Sequence, residues 1–419
     1  MSNRISPQAM AVIGLLFVAN IIAYVDRTNL SVAIASSDFR SYFQLSDAQR
    51  GDLSSAFFWS YAFLQIPAGA VADRYGVKAP LAIGFFTWSL VSAATGWATA
   101  LWQLFALRVL LGVGEAIITP GALRWIRFNV EEKRRGMVTG IFFAGAKLGP
   151  AIGTWAAVVL LSNYGWRNMF VVLGLGCLLW LVPWWLLAKD DDRQTEASQI
   201  KSSGVAAVPF SAVFRTPAIY GIIIGTFAYN YFNYFCLTWL PAYFVEQWKM
   251  SLTSMSWYTG FSFGGMAIVA VAAGWVADGM IARGADPVRV RKGFTIAGLA
   301  VASTEIIGVM SGSRELAIIF AVISLSGLGL ATANYWALTQ TLMPGAAIGR
   351  ITGVQNFASN LSGIVAPVLT GRLVALTGSY EAPMQAIAGL LLAGILAYVF
   401  LVRRRYAPGT PAVRVAAEA

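Results

Sequence analysis

Gly69-Ala70-Val71-Ala72-Asp73 ends one long apolar stretch of the chain, and a similar pentapeptide, Gly274-Trp275-Val276-Ala277-Asp278, ends another 205 residues later. A second pair of motifs, Gly136-x-x-Thr139-Gly140 and Gly349-x-x-Thr352-Gly353, repeats at an offset of 213 residues. Chance similarity between apolar stretches would explain one such match. Two matches at nearly the same offset indicate an internal duplication, so we predict a chain built from two equivalent halves.

The composition is that of a membrane protein. Of the 419 residues, 58% are hydrophobic and 12% are charged, against about 45–50% and about 25% in soluble domains. A soluble chain of this length needs many more charged residues to cover its surface with water-compatible groups. We therefore expect lipid to cover most of the outside.

Apolar stretches of about 20 residues, enough to cross a bilayer core of about 30 Å, recur along the whole chain. We predict an all-α membrane protein with twelve transmembrane helices, near residues 9–36, 48–72, 79–100, 101–128, 136–161, 166–188, 216–245, 252–278, 293–312, 315–342, 349–376 and 381–402. Parallel six-helix halves of this kind are a transporter architecture with its site at the midplane between the halves.

The predicted helices define the domain organisation. We predict an N-terminal six-helix half (1–188), a linker rich in charged, Ser and Ala residues (189–215), a C-terminal six-helix half (216–402) and a tail (403–419). The long first apolar stretch does not resemble a cleaved signal peptide, and we expect it to remain as the first helix.

The basic residues predict the orientation. The net charge of +11 could indicate nucleic-acid binding, but the cations lie in short clusters between apolar runs, such as 133–135 and 403–405, and not along one face. Loops on the side of the termini hold most of them, whereas the opposite loops hold only Arg40, Arg50, Arg167, Lys249 and Arg314. By the positive-inside rule we expect both termini in the cytoplasm and the protein in the inner (plasma) membrane.

Enzyme chemistry is poorly supported. The sequence has no histidine and only two cysteines, Cys177 and Cys236, each within an apolar run. A membrane-embedded enzyme would need a nucleophile–base pair or a metal cluster, and a sensor would usually add a soluble domain. We therefore expect no enzyme, no metal and no cofactor, and any proton chemistry should use carboxylates.

Five ionisable residues form the predicted charged centre. Asp26, Arg27, Glu115 and Lys147 lie well inside predicted helices, and Arg108 lies in the same predicted helix as Glu115. Such groups cost at least a few kcal/mol each in a bilayer and by default mark a pathway or a site. The alternative is a snorkelling residue or a buried ion pair that only fixes packing. Arg108 and Glu115 are two helical turns apart on one face, whereas Asp26 and Arg27 can both reach a cavity only at a helix break or on two flanks of the helix.

The charges of these five groups favour an anionic substrate. With both carboxylates ionised their sum is one net positive charge, and with both protonated it is three. Protonation also frees a cation to pair with the substrate, so we expect proton and anion to bind together. A further carboxylate, Glu305, lies in the ninth predicted helix, and the sequence indicates no role for it.

Polar and aromatic residues complete the predicted site. The internal repeat places Lys147 opposite Asn360, and Asn356 lies one turn before Asn360, which suits either an oxygen-rich substrate or interhelical hydrogen bonding. Tyr61, beside Gln65, is the strongest aromatic candidate. The others, which also fit an interfacial belt, include Tyr234 and Trp336. The loop residues Asp73, Arg74 and Asp278 are interpreted as conformational locks.

Several longer motifs resemble one family. They are Tyr24-Val-Asp-Arg-Thr-Asn-Leu-Ser31, Gly69 to Lys78, Leu107-Arg108 with Gly114-Glu115-Ala116, Leu237-Thr-Trp-Leu-Pro241, Ala277-Asp278 to Arg291-Lys292, Tyr335-Trp336-Ala337-Leu338 and Gly378-Ser379-Tyr380. Over nearly its whole length the chain resembles the major facilitator superfamily. Within it, the chain is similar to the anion:cation symporter family, which includes bacterial hexonate, galactonate and tartrate-type carriers and, more distantly, vesicular glutamate transporters and sialin.

The resemblance implies roles for particular residues. It implies that Asp26 and Glu115 bind protons, that Arg27 is the main contact of the substrate anion and that Tyr61 lines the cavity. It also implies polar contacts from the tenth and eleventh helices, near Gln340, Asn356 and Asn360. Galactonate-type members have a neutral polar residue where this chain has Lys147, which argues against simple galactonate transport.

The resulting expectation is a proton-coupled symporter, acting as a monomer, for a small organic carboxylate such as an aldonate, aldarate, tartrate-like or aromatic acid. An exchanger or uniporter of the same fold is the alternative. It differs in whether Asp26 and Glu115 release their protons without substrate.

Overall fold

The computed structural model describes residues 6–189, 214, 216–343 and 348–406, and within them all regular secondary structure is helical. Most of the predicted linker and residues 407–419 of the predicted tail lie outside the described residues. The chain folds into two compact units. Unit 1 comprises Met1–Gly204 and Leu237–Gly260, and unit 2 comprises Val205–Cys236 and Phe261–Ala419.

Unit 1 contains the first eight helices and a short later one. They are α1 (Pro7–Ala35), α2 (Ser37–Phe43), α3 (Asp47–Tyr75), α4 (Lys78–Ala94), α5 (Leu101–Glu115), α6 (Ile118–Asn129), α7 (Glu132–Cys177), α8 (Leu181–Leu187) and α10 (Leu240–Glu246). Gly165 has a φ of 78° inside α7, a conformation that glycine adopts without the penalty of a Cβ atom. This kink falls between the segments predicted at 136–161 and 166–188.

Unit 2 contains the remaining helices, and α9 and α11 each run across a unit boundary. They are α9 (Pro217–Thr238), α11 (Leu252–Ala282), α12 (Pro287–Ala302), α13 (Glu305–Met310), α14 (Arg314–Leu342), α15 (Ile348–Thr377) and α16 (Glu381–Phe400). The ninth predicted segment, 293–312, is divided in the structure between α12 and α13.

Nine helical stretches of the described residues are long and apolar enough to cross a membrane. They are Pro7–Ala35, Lys78–Trp97, Leu101–Asn129, Arg134–Leu187, Leu252–Ala282, Pro287–Met310, Arg314–Leu342, Ile351–Thr377 and Glu381–Phe400. One of them, Arg134–Leu187, has 54 residues and contains the Gly165 kink. The prediction of an all-helical membrane protein is confirmed, and the count of twelve crossings stays a prediction.

Small residues set the spacing between α1 and α7, the most extensive helix contact in unit 1. A Cβ atom on Gly149 would lie 2.5 Å from the Cβ atom of Tyr24, and one on Gly145 would lie 2.7 Å from the carbonyl oxygen of Phe17. Glycines at these positions let the two backbones approach closely, as is common between membrane helices. This packing fixes the half of α1 that carries Asp26 and Arg27.

The loop before α12 is fixed by Asp286. Its carboxylate accepts the backbone N–H groups of Val288 and Arg289 and pairs with Arg404 at 3.0 Å. Burial alone would raise the pKa of Asp286, but the two backbone N–H donors and the Arg404 guanidinium outweigh it and hold this pKa below its usual value. The loop is therefore tied to the short 3₁₀ turn after α16.

Candidate functional site

A buried ion pair joins α1 to α5. Arg27 donates from Nε and Nη2 to Oε2 of Glu115, at 2.9 Å and 2.8 Å. The two side chains are 5% and 0% exposed, so water screens their attraction very little. Breaking such a pair by neutralising one partner leaves an uncompensated buried charge, which then seeks another partner.

Three aromatic rings surround the same guanidinium. The Cζ atom of Arg27 lies 4.5 Å from the ring centroid of Tyr24, 4.6 Å from that of Phe57 and 4.6 Å from that of Tyr61. Phe57 and Tyr61, one turn apart on α3, stack with their ring centroids 4.9 Å apart. We call these three residues the aromatic cage.

A glycine on α5 brings α3 into place. A Cβ atom on Gly112 would lie 2.3 Å from the carbonyl oxygen of Phe57 and 2.3 Å from Oγ of Ser60. Any larger residue at position 112 would therefore push α3 away from α5. The close approach sets the two rings of α3 beside the helix that carries Glu115.

Asp26 faces α4. Its Oδ1 accepts a hydrogen bond of 2.6 Å from Ser92 and one of 3.4 Å from Asn29, and the residue is completely buried. Because α1 is continuous from Pro7 to Ala35, Asp26 and Arg27 lie on two flanks of an unbroken helix and contact different neighbours. This settles the geometry that the sequence left open.

Asp26 and Glu115, the two buried carboxylates of the predicted site, each keep one unsatisfied oxygen. Among the described residues, Oδ2 of Asp26 and Oε1 of Glu115 have no hydrogen-bond partner, and neither does Nη2 of Arg108. Arg108 is 3% exposed and lies within electrostatic range of both carboxylates. These three atoms are therefore available to bind a proton, a water molecule or a bound anion.

A cavity in unit 1 combines two of the predicted cations with hydroxyl groups and apolar walls. It is lined by Arg27, Leu30, Ser31, Ser54, Phe57, Phe58, Arg108, Leu237 and Thr238. Two guanidinium groups and no carboxylate belong to this lining within the described part of unit 1. Such a lining suits an anion.

The other predicted residues of unit 1 lie apart from the cavity. Tyr61 contributes its ring to the aromatic cage and is 5% exposed. Lys147 is a half-buried residue of α7 and lies outside the cavity lining described above. Of the charged residues predicted for the site, the structure therefore brings four together in unit 1: Asp26, Arg27, Arg108 and Glu115.

Predicted site residues of unit 2 are partly used for packing. Asn360 donates to the carbonyl oxygen of Asn356 at 3.0 Å within α15, while Tyr234 is buried and Gln340 is exposed. Trp336 is half-buried, with its ring 5.3 Å from that of its neighbour in sequence. A role of these residues in binding the substrate stays a prediction.

Two other polar side chains in unit 2 make contacts between helices. Gln355 donates to Thr226 of α9 at 3.0 Å, the interhelical hydrogen bonding that was one of the two interpretations of this polar helix. Glu305 accepts a hydrogen bond from Ser324 of α14. Glu305 therefore lies outside the group of charges in unit 1.

The two carboxylates interpreted as locks, Asp73 and Asp278, form ion pairs with partners that the sequence did not suggest. Asp73 pairs with Arg124 of α6, whereas Arg74 lies 5.4 Å from the ring of Tyr75. Asp278 pairs at 2.8 Å with Arg291 of α12. In both pairs the aspartate is exposed, so water screens the attraction and the pair contributes little stability, which suits contacts that must break and form again.

Sequence reasoning missed an ion cluster at the opposite end of unit 1. Glu246, at the end of α10, pairs with Arg40 of α2 and with Arg50 of α3. Arg50 also pairs with Asp47, lies 4.8 Å from the ring of Trp239 and is 1% exposed. The i,i+3 spacing of Asp47 and Arg50 was the one sequence signal for this cluster, which we call the Arg50 cluster.

Neutralising Glu246 should destabilise unit 1. We expect Glu246→Gln to lower the free energy of unfolding by about 2–3 kcal/mol, because it removes the carboxylate shared by a buried and a half-exposed guanidinium. Thermal unfolding of the purified protein in detergent measures this effect. Asp38→Asn, on the exposed face of α2, is the matched control. An unchanged unfolding temperature for Glu246→Gln would show that the pairs add no net stability.

Comparisons with known proteins show the family of the chain. The sequence matches the Major Facilitator Superfamily over residues 16–367. It is 29% identical to the probable L-galactonate transporter of Escherichia coli K12, covering 96% of this chain and 90% of that protein. It is 30% identical to the hexuronate transporter of Bacillus subtilis, covering 95% and 96%.

A solved structure supports the fold. The inward-facing, unoccupied structure of a bacterial homologue of the human lysosomal transporter Spinster superposes with a TM-score of 0.73 at 19% identity, covering 95% of each chain. The fold and the relatives define a multi-pass membrane protein of a transporter class. The chain belongs to the Major Facilitator Superfamily, and the predicted resemblance to the anion carriers within it is confirmed.

Proposed function

We propose that the protein is a proton-coupled symporter that brings a small organic carboxylate into the cell by alternating access. The observation that carries this proposal is the buried pair of Arg27 and Glu115, at 2.8 Å, beside a cavity that Arg27 itself lines. A carboxylate and a substrate anion compete for the same guanidinium, and a proton on the carboxylate decides the competition.

The coupling follows from charge. While Glu115 is ionised, it neutralises Arg27, and a substrate anion gains little by approaching. A proton on Glu115 removes that competition and leaves a buried cation beside the cavity. Because linkage is reciprocal, a bound anion also favours the protonated form of Glu115. Asp26 and Arg108 are a second carboxylate and a second cation within the same unit. We propose Asp26 as the second proton site and Arg108 as a further contact of the anion.

The proposal includes the arrangement of the chain in the membrane. We place two six-helix halves, 1–188 and 216–402, in the inner membrane, with both termini in the cytoplasm and the protein acting as a monomer. In that orientation the Arg50 cluster lies on the outer side and the Asp73 and Asp278 pairs on the inner side. Breaking and re-forming of these pairs would then accompany the change of access.

The relatives suggest the class of substrate. Their names refer to a galactonate and a hexuronate, both sugar acids with one carboxylate, and we propose a sugar acid or a related dicarboxylate. Uptake of labelled galactonate, glucuronate and tartrate into proteoliposomes with an imposed pH gradient tests this. Accumulation of at least one of them, driven by external acid, supports symport. Counterflow that no pH gradient affects supports an exchanger or uniporter.

Lys147 is proposed to contact a second acidic group on the substrate. An ionisable residue inside a membrane helix by default marks a pathway or a site. We expect Lys147→Gln to weaken the binding of a dicarboxylate about tenfold, since one charged contact contributes about 1.5–3 kcal/mol, and to affect its monocarboxylate analogue much less. Competition binding with the two compounds measures this difference.

Two other results would change the role of Lys147. Equal loss of both compounds, with a shifted pH dependence of transport, would assign Lys147 to the proton machinery. Unchanged affinity and pH dependence would remove it from the site. Lys249→Gln, on a residue between α10 and α11, is the control for loss of a lysine charge elsewhere in unit 1.

A further inference from the structure

We propose that the aromatic cage holds the Arg27 guanidinium in place when Glu115 is protonated, so that the site for the anion forms without movement of the arginine. The proposal rests on the proposed function for its role in transport. The cage consists of Tyr24 on α1 and of Phe57 and Tyr61 on α3, with ring centroids 4.5–4.6 Å from Cζ of Arg27.

The need for such a device follows from the ion pair. Arg27 uses Nε and Nη2 to contact one oxygen of Glu115. When that carboxylate becomes neutral, an arginine held by the pair alone would lose its strongest contact. Arginine has a long, flexible side chain, and a free guanidinium would turn toward water or another acceptor. The cavity would then lose one of its two cations.

The rings supply attraction that protonation does not change. The face of an aromatic ring carries partial negative charge and attracts a guanidinium within about 6 Å, more strongly where water is excluded. All three rings meet this distance. Phe57 and Tyr61 are buried, and Tyr24 is half-buried. A phenyl or phenol ring keeps its attraction at any pH near neutrality, whereas that of Glu115 disappears with its charge.

The cage is also rigidly built. Phe57 and Tyr61 stack on each other, and the α3 backbone at Phe57 is fixed by its close contact with Gly112. The backbone of Tyr24 packs against Gly149 of α7. Contacts among four helices, α1, α3, α5 and α7, therefore determine the positions of the rings, and these contacts do not involve the Glu115 side chain.

Variants of Tyr24 can distinguish an effect on the position of Arg27 from an effect on direct contact with the substrate. Phe57 lines the cavity, whereas Tyr24 lies outside its lining in the described part of unit 1. Tyr24→Leu removes a ring and keeps an apolar side chain, and Tyr24→Phe keeps the ring and removes only the hydroxyl. An effect of the first variant that the second largely restores is therefore an effect of the ring.

The position of Arg27 can be measured without any substrate. In purified protein labelled with ¹⁵N-arginine, the Nε–H resonance of Arg27 is assigned by its loss in Arg27→Lys, and nearby rings displace it from the position of an exposed arginine. We expect this displacement to persist in Glu115→Gln, to diminish strongly in Glu115→Gln with Tyr24→Leu, and to be largely restored with Tyr24→Phe. Displacement lost already in Glu115→Gln would overturn the proposal, and this single variant decides it even if Tyr24→Leu does not fold.

Substrate affinity tests whether the aromatic cage contributes to binding. With galactonate and glucuronate as probes, Tyr24→Leu should weaken affinity about tenfold, as expected for loss of one desolvated cation–π contact, and Tyr24→Phe should recover most of that loss. Parental affinity in Tyr24→Leu would show that the cage does not serve binding. If the parent binds neither of them, tartrate is used as the third probe. If it binds none of the three, the proposed substrate class fails, while the arginine resonance still decides whether the cage holds Arg27.

Discussion

Glu115→Gln is expected to abolish the accumulation of substrate against its gradient while exchange of internal for external substrate survives. Glutamine imitates the protonated carboxyl group, so Arg27 stays available to the substrate anion. It cannot release a proton, and the empty carrier therefore cannot complete a coupled cycle. Accumulation should fall to the background of protein-free liposomes, and counterflow in the same vesicles measures the surviving exchange.

A matched control comes from unit 2. Glu305 is another buried glutamate, hydrogen-bonded to Ser324, and Glu305→Gln should accumulate substrate as the parent does. Asp26→Asn should fail in accumulation, as Glu115→Gln does. If Glu115→Gln still concentrated substrate, the proton would have to be carried elsewhere, and the competition between Glu115 and substrate for Arg27 would not be the coupling step.

Arg27→Lys is expected to weaken substrate binding by about ten- to a hundredfold, although the charge is kept. A planar guanidinium grips a carboxylate through two parallel hydrogen bonds, whereas an ammonium group offers a point charge on a flexible stem. The lysine also fits the aromatic cage poorly, because its charge lies at the tip of the chain and not in a flat group between rings. Equilibrium binding of the transported acid to purified protein measures the loss.

Arg314→Lys, at the exposed start of α14, is the control for an arginine-to-lysine change outside the site. Affinity of Arg27→Lys close to that of the parent would assign Arg27 to packing between α1 and α5. In that case the ion pair with Glu115 would be a structural contact, and the cavity would depend on Arg108 alone.

Much of the fold and part of the site are readable from the sequence because the bilayer limits the choices. Long apolar runs predict spanning helices, and nine of the described helical stretches meet that expectation. Charged residues within such runs are rare because they are costly, and this rule selected Asp26, Arg27, Arg108, Glu115 and Lys147. The structure brings the first four together in unit 1, whereas Lys147 lies outside the cavity lining.

The partners of these charges were not predictable in the same way. Both the lipid-facing and the protein-facing surfaces of a membrane helix are apolar, so periodicity does not show which face contacts which neighbour. The contact of Ser92 with Asp26, the rings of Tyr24 and Phe57 around Arg27 and the pairing of Asp73 with Arg124 all depend on that orientation. So does the Arg50 cluster, whose Glu246 lies 196 residues from Arg50 in the chain.

Substrate-driven proton movement tests the proposed symport most directly. Proteoliposomes containing a pH-sensitive dye are held at equal internal and external pH, with the membrane potential clamped. The transported acid is then added outside the vesicles, so that its concentration is higher outside than inside. We predict that the interior becomes more acidic as labelled substrate enters, and that Glu115→Gln abolishes this acidification while retaining exchange. Entry of labelled substrate without any acidification of the interior would contradict this prediction.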